Sequence, residues 1–318
     1  MKNQLICEKI LIILKYSGIA PFKTNESFTI DKNFLYINRI VIFIAFAINI
    51  IVLKLFIPFW ESPSILTFGP FIAGVIYSTV VVSVLLITYI NLNGINPLIN
   101  EIIRSKEKLL VMLEKNFELE NTNLTYSFFI TIQMANVMFI IPNMITDLNG
   151  FDGSITIMTS FWSYYVSCCD FFYTVLVLNI YHLFKALNEN IGIIVKGQEE
   201  IYDEECAEKE EKETELNILE LTRGLYIESI EILNIANGIN NIFEKINFLS
   251  LGNSVMAVVG TTFFCFADDR YSSIYERMII FTFFVSFFVA KTALVLYFSW
   301  ITTLKVNLCN FNFFKEKA

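Results

Sequence analysis

Residues 278–304 read MIIFTFFVSFFVAKTALVLYFSWITTL: thirteen uncharged residues, Lys291, then thirteen more. A helix crosses a bilayer core with about 20 mainly apolar residues, so the run is long enough to span. One ammonium at its centre is costly in hydrocarbon. The stretch therefore asks for a partner as well as a fold. Residues 161–184, FWSYYVSCCDFFYTVLVLNIYHLF, ask the same with the opposite sign at Asp170.

Working outward, the rest of the chain has the same character. It is 318 residues long, 55% hydrophobic and 17% charged, with 32 Phe. That is too little charge and too much Phe for a soluble domain of this length. The charges are clumped, and none occurs from Ser62 to Asn100, from Asn121 to Thr146 or from Ile246 to Ala267. Six spans follow: Ile40–Phe59, Leu66–Ile90, Leu124–Ile145, Ile155–Ile180, Ile246–Phe266 and Met278–Thr302. Barrel strands would be about 10 residues long and alternating, whereas these runs are long and continuous. The fold class is all-α, a polytopic membrane helix bundle. The chain shows no internal repeat of the kind duplicated transporters carry.

Orientation comes from Lys and Arg. Nineteen of them fall in residues 1–39, in the second-to-third and fourth-to-fifth loops, and after the sixth span. The other side has Arg270, Arg277 and Lys54, the last placed to snorkel. The positive side is cytoplasmic, which puts both termini inside and leaves only short outer loops around Trp60–Pro63, Asp147–Gly153 and Asp268–Arg277. The N-terminal run is broken by Glu8, Lys9 and Lys15, unlike a signal peptide. Leu5, Ile6, Ile10, Ile13 and Leu14 suit an amphipathic helix on the inner face. The triplets starting at Asn25 and Asn123 lie on the inner side and should carry no glycan.

Residues 181–245 form a long inner loop. Its acidic run QEEIYDEECAEKEEKETE (198–215) reads as a solvated linker or helix extension; it lacks the spaced ligands and central Gly of a calcium loop. Beyond it, Leu219, Leu225, Ile227, Ile230, Leu233 and Ile235 predict an amphipathic helix leading into the fifth span.

Catalysis finds little footing. His182 stands alone, the six cysteines show no metal spacing, and there is no phosphate-cradling Gly loop or nucleophile elbow. The reading is that of a non-enzyme with neither cofactor nor metal. A net charge of −8 argues against nucleic acid. The remaining chemistry is binding and permeation. Thr156, Ser160, Ser163, Ser167, Asp170 and Thr174 recur at steps of three and four, on one helix face. A carboxylate there should face other helices or a water-filled cavity; simple packing glued by hydroxyls is the plainer alternative. Asp170 and Lys291 lie about 15 and 13 residues into spans of the same direction, so at roughly 1.5 Å per residue their depths match within a turn. That permits a pair. The flank of Lys291 (Phe284, Phe287, Phe288, Leu294, Val295, Phe298) is apolar, which favours a lysine snorkelling to the inner headgroups and acting independently of Asp170.

The layout resembles the insect gustatory receptor family. The resemblance rests on the inside N-terminus, the lead-in LKYSGIAPF (Leu14–Phe22), the tiny outer loops and the helix LTRGLYIESIEILNIANGINNIF (Leu221–Phe243), with Asn240 and Phe243 near its end. It covers nearly the whole chain in layout, with weak motifs. The family has seven spans, with a Thr-Tyr…Gln-Phe signature in a seventh that lines the pore of a tetramer. This sequence stops after the sixth, at KVNLCNFNFFKEKA (305–318). The resemblance thus implies a plasma-membrane chemosensory receptor that lacks the seventh span and does not conduct alone. It further implies a ligand-gated cation channel subunit, a homo- or hetero-oligomeric (tetrameric) partner set and a small-molecule tastant. The tastant pocket would fall among the outer helix halves, where Tyr77, Asn143, Phe161, Trp162 and Tyr165 supply aromatic and polar lining. A carrier using Asp170, or an accessory membrane protein without a ligand, are the alternatives.

Overall fold

The computed structural model describes residues 8–24, 28–56, 65–113, 151–203, 208–267 and 274–315, together with 127, 130, 131 and 134. These hold helices α1 (Glu8–Tyr16), α2 (Lys32–Phe56), α3 (Ile65–Leu113), α4 (Phe151–Asp203), α5 (Glu208–Ala267) and α6 (Ile274–Lys315). One short antiparallel hairpin, β1 (Phe22–Thr24) with β2 (Phe28–Ile30), pairs Phe22 with Ile30 and Thr24 with Phe28. The hairpin is the one departure from an all-α bundle among the described residues.

Helices α3 to α6 are much longer than a bilayer needs. At about 1.5 Å per residue, the 53 residues of α4 and 60 of α5 reach roughly 80–90 Å. Each overshoots its predicted span on the same side, which we call the base. The tip side has only residues 57–64 and 268–273 between consecutive helices. Residues 181–245, expected as a loop, are therefore mostly continuous helix, α4 running on to Asp203 and α5 starting at Glu208. The acidic run sits on those two ends.

Helix directions follow from the contacts. Across α3 and α5, Leu98 meets Gly238, Lys108 meets Glu228 and Glu231, and Met112 meets Gly224, so the two run antiparallel. At Gly238 the helices approach closely: a Cβ would come within 2.9 Å of Leu98 Cδ2, and the leucine side chain would have to shift. Across α4 and α5, Asp170 meets Ser250 and Tyr173 meets Asn240, antiparallel again. Helices α3 and α4 therefore run the same way, and the chain must return between them. Between them Ser127, Ile130, Thr131 and Met134 are helical; the rest of the third predicted span lies outside the described residues. Three described stretches, Lys32–Ile51, Thr79–Met112 and Ser163–Gly192, are long and apolar enough to cross a membrane. The last is 89% buried and the first 17%, so α4 is the central helix and α2 a peripheral one.

The stripe on α5 is rotated from its expected position. Leu219, Ile227 and Ile230 are exposed, while Leu225, Ile232, Ile235, Ile239, Phe243 and Ile246 are buried. Steps of three, four and seven mark this as the true seam. The expected list mixed two faces, because isoleucines occur on both.

The N-terminal segment is packed on the bundle from Leu14 onward; of the expected amphipathic helix, Leu5, Ile6 and the side chain of Ile10 lie outside the described residues. Leu14, Ile19, Ala20 and Phe22 are buried. Asp31 caps α2 by accepting from Asn33 N (3.2 Å), and its Oδ2 lies 3.2 Å from Lys15 Nζ. Burial pushes the Asp31 carboxyl up, but the bonds from Lys15 and Asn33 outweigh it and leave it below the usual carboxylate range. Ser17 Oγ lies 2.7 Å from Tyr164 OH, tying the unit to α4. Between them Gly18 takes φ +76°, and a Cβ there would sit 3.0 Å from Asn38 N. Gly18→Ala should therefore lower stability by about 1–2 kcal/mol from backbone conformation alone, and more from the contact. Gly192→Ala, with nothing within 4 Å of the added carbon, should be neutral or stabilising by up to about 1 kcal/mol. Thermal melts of the two variants in detergent check the contrast.

Candidate functional site

The fourth-span stripe faces inward. Ser163, Ser167, Asp170 and Thr174 are all buried, and Thr174 Oγ1 donates to the Asp170 carbonyl at 2.8 Å. The side chains of Thr156 and Ser160 lie outside the described residues. From α5, Ser250 Oγ donates to Asp170 Oδ2 at 2.8 Å. From α6, Lys291 Nζ lies 2.8 Å from the same oxygen, with 2% and 4% of the two charged side chains exposed. Lysine and aspartate thus pair, and the snorkelling arrangement is overturned. The flank of Lys291 looked apolar because Phe288 and Val295 were read without Thr292 and Ser299, which border the same cleft. The lysine's partner comes from another helix, where the sequence around Lys291 carries no sign of it.

The contact has the distance of an ion pair without the alignment of a hydrogen bond. The Lys291 donors find no hydrogen-bond acceptor among the described residues. Ser167 Oγ and both side-chain polar atoms of Asn253 are likewise buried without one. With Asp170 opposite Ser250 on antiparallel helices, Ser167 and Asn253 stand opposite each other one turn toward the tip. A polar layer therefore runs through α4, α5 and α6. Its α5 members, Ser250, Asn253 and Ser254, are buried. Their three-four spacing in a charge-free span was a readable signal of the same kind as the α4 stripe.

From the tip ends of α4, α5 and α6 to Asp170, Ser250 and Lys291 is roughly 26–29 Å at about 1.5 Å per residue. On α3, Thr88 lies 3.7 Å from the Cys169 sulfur, roughly 35 Å from its helix start by the same rise. Hydrocarbon is about 30 Å thick. The pair therefore lies roughly one hydrocarbon thickness from the tip ends of these helices. Residues from Phe171 to Ile180 are all buried, so protein and not lipid surrounds them.

One turn toward the base lies an aromatic cluster. Tyr173 OH donates to Asn240 Oδ1 at 3.1 Å and lies 3.1 Å from Ser299 Oγ. The Phe243 ring stands 5.7 Å from Phe172 and 5.4 Å from Tyr173, and Phe22 of β1 lies 6.1 Å from Phe172. Asn240 and Phe243, singled out in the α5 lead-in, thus hold α5 against α4 and α6.

Of the expected tastant-pocket residues, only Tyr165 has a described side chain; it is buried and its ring meets Tyr164 edge-on at 5.2 Å. Asn143 and the side chains of Tyr77, Phe161 and Trp162 lie outside the described residues. The described cleft, lined by Asp170, Ser250 and Lys291 among others, contains none of the five. The His182 ring stacks edge-on with Tyr181, and no metal-ligating cluster occurs among the described residues.

The family model of the 7tm chemosensory receptors matches residues 10–306. The chain belongs to the 7tm chemosensory receptor family. The match takes in both halves of the ion pair, the aromatic cluster and the N-terminal unit from α1 onward. No curated protein matches the chain. A chemosensory receptor role thus rests on the family, and the all-helical membrane bundle fits it.

The pair makes a quantitative demand on this receptor. Asp170→Asn strands an ammonium and Lys291→Met strands a carboxylate, so each should cost about 3–5 kcal/mol. The double variant should recover most of that. A double-mutant cycle on folded yield in membranes should give a coupling well above the roughly 0.5 kcal/mol of independent sites; additive losses would rule the pair out.

Proposed function

We propose that this receptor is a subunit of a ligand-gated cation channel of the plasma membrane that senses small organic tastants. The family match over residues 10–306 is the observation that carries the reading. The tastant would enter from the tip side, among the outer helix halves that hold Tyr77, Asn143, Phe161, Trp162 and Tyr165. Helices α4, α5 and α6 would pass its effect to the base through the buried pair and the Tyr173–Asn240–Phe243 cluster. In cells carrying the receptor with other members of its family, a panel of small organic tastants should evoke cation current that is lost when this chain is left out. Currents indifferent to its presence would contradict the proposal.

The base would lie in the cytoplasm, where the 19 basic residues of the inner segments belong. This reading puts both ends of the chain inside. It also gives the outward face of α5 a use. Leu219, Tyr226, Ile227 and Ile230 are exposed there, an apolar face suited to a neighbouring subunit in a homo- or hetero-tetramer. Epitope tags at either end should stain only after the cell is permeabilised. Staining of intact cells at one end would invert or break the assigned topology.

A further inference from the structure

We propose that the cleft between α5 and α6 binds the head group of a phospholipid carrying both a phosphate and a primary ammonium. The cleft has a volume of about 190 Å³, room for several waters or a small polar head group. Asp170, Ser250 and Lys291 form its floor, and Asn247, Thr292 and Ser299 border it. It lies roughly 26–29 Å from the tip ends of its helices at about 1.5 Å per residue, close to the roughly 30 Å thickness of a hydrocarbon layer, a depth at which a head group can reach it. Its rim is apolar: Phe248 is 75% exposed, and Leu251 and Leu296 are also exposed. A ligand with a polar head and acyl chains matches a floor and rim of this kind.

The floor selects the head group. Lys291 is 98% buried, lines the cleft and has donors without a hydrogen-bond acceptor among the described residues. The Asn247 Oδ1 is also buried without a partner. A phosphate takes hydrogen bonds from the ammonium and from the hydroxyl of Thr292, which lines the same cleft. A pure anion would also face the Asp170 carboxylate. A head group with its own ammonium gives Asp170 a second cation and adds no net charge, so no buried charge is left unmatched. A quaternary ammonium has no N–H to donate. An ethanolamine head group supplies both charges and the donor. Soluble phosphoethanolamine shares this chemistry without the chains.

The full chain is reconstituted with ethanolamine, choline and glycerol phospholipids of identical acyl chains in equal amounts. Lipid kept through gentle detergent extraction is then counted by native mass spectrometry. Ethanolamine lipid should exceed each of the others about tenfold, the ratio that one charge-assisted hydrogen bond of about 1.4 kcal/mol supplies. Asp170→Asn/Lys291→Met should bring the ratio to parity. Leu251→Trp, on the exposed rim, should lower it while leaving the pair intact, and serves if the double variant folds poorly. Parity in the unaltered chain, or enrichment that survives both variants, overturns the site. Thermal protection by soluble phosphoethanolamine equal to that by the lipid overturns the lipid as its source.

Discussion

A carboxylate and an ammonium held 2.8 Å apart, each almost wholly buried, fix this bundle at one level. Neither charge tolerates that burial alone. Asp170 is on α4, Lys291 on α6, and Ser250 of α5 donates to the same carboxylate oxygen. Turning or sliding α4 or α6 by a fraction of a turn would strand a charge, and moving α5 would take the Ser250 hydroxyl from the carboxylate. The pair thus sets the rotation and axial position of α4 against α6, and Ser250 ties α5 to the same level.

The arrangement has consequences along the bundle. Between Ser163 and Ile180 helix α4 is almost wholly buried, so this part of its polar stripe meets protein instead of lipid. The N-terminal unit contributes to that enclosure, with Ser17 at Tyr164 and Phe22 at Phe172. Toward the base, the Tyr173–Asn240 bond and the Phe243 ring continue the α4–α5 contact. Farther down, Lys108 joins α3 to Glu228 and Glu231 of α5. A displacement of α6 must either break the ion pair or carry α4 with it, and α5 through Ser250. Such coupling is a physical route between the tip side of the bundle and the long helical extensions of the base.

The class of fold was legible because the hydrophobic effect acts on composition: long charge-free runs in a Phe-rich chain have few homes but a bilayer. The inward turn of the Asp170 stripe was legible too, since a carboxylate cannot face lipid cheaply. The partner of Lys291 was not. Its pairing depends on where α4 and α6 meet, and the sequence around each residue carries no record of that. The base-side end of the fourth span is not legible for a related reason: apolar residues buried by protein and by lipid look alike, and those between Phe171 and Ile180 are buried by protein. The α5 seam was blurred because isoleucine appears on its buried and exposed faces. The hairpin at Phe22–Ile30 is too short for any periodicity to announce it.

The most direct test of the account is the separation of the two charges in a membrane. With the receptor in lipid bilayers, carrying ¹³C at the Asp170 carboxyl and ¹⁵N at Lys291 Nζ, rotational-echo solid-state NMR reads that separation. The account predicts strong dephasing, corresponding to a nitrogen-to-oxygen distance within the roughly 4 Å of an ion pair. Absence of dephasing, with the lysine nitrogen in contact with water or lipid phosphate, would contradict it.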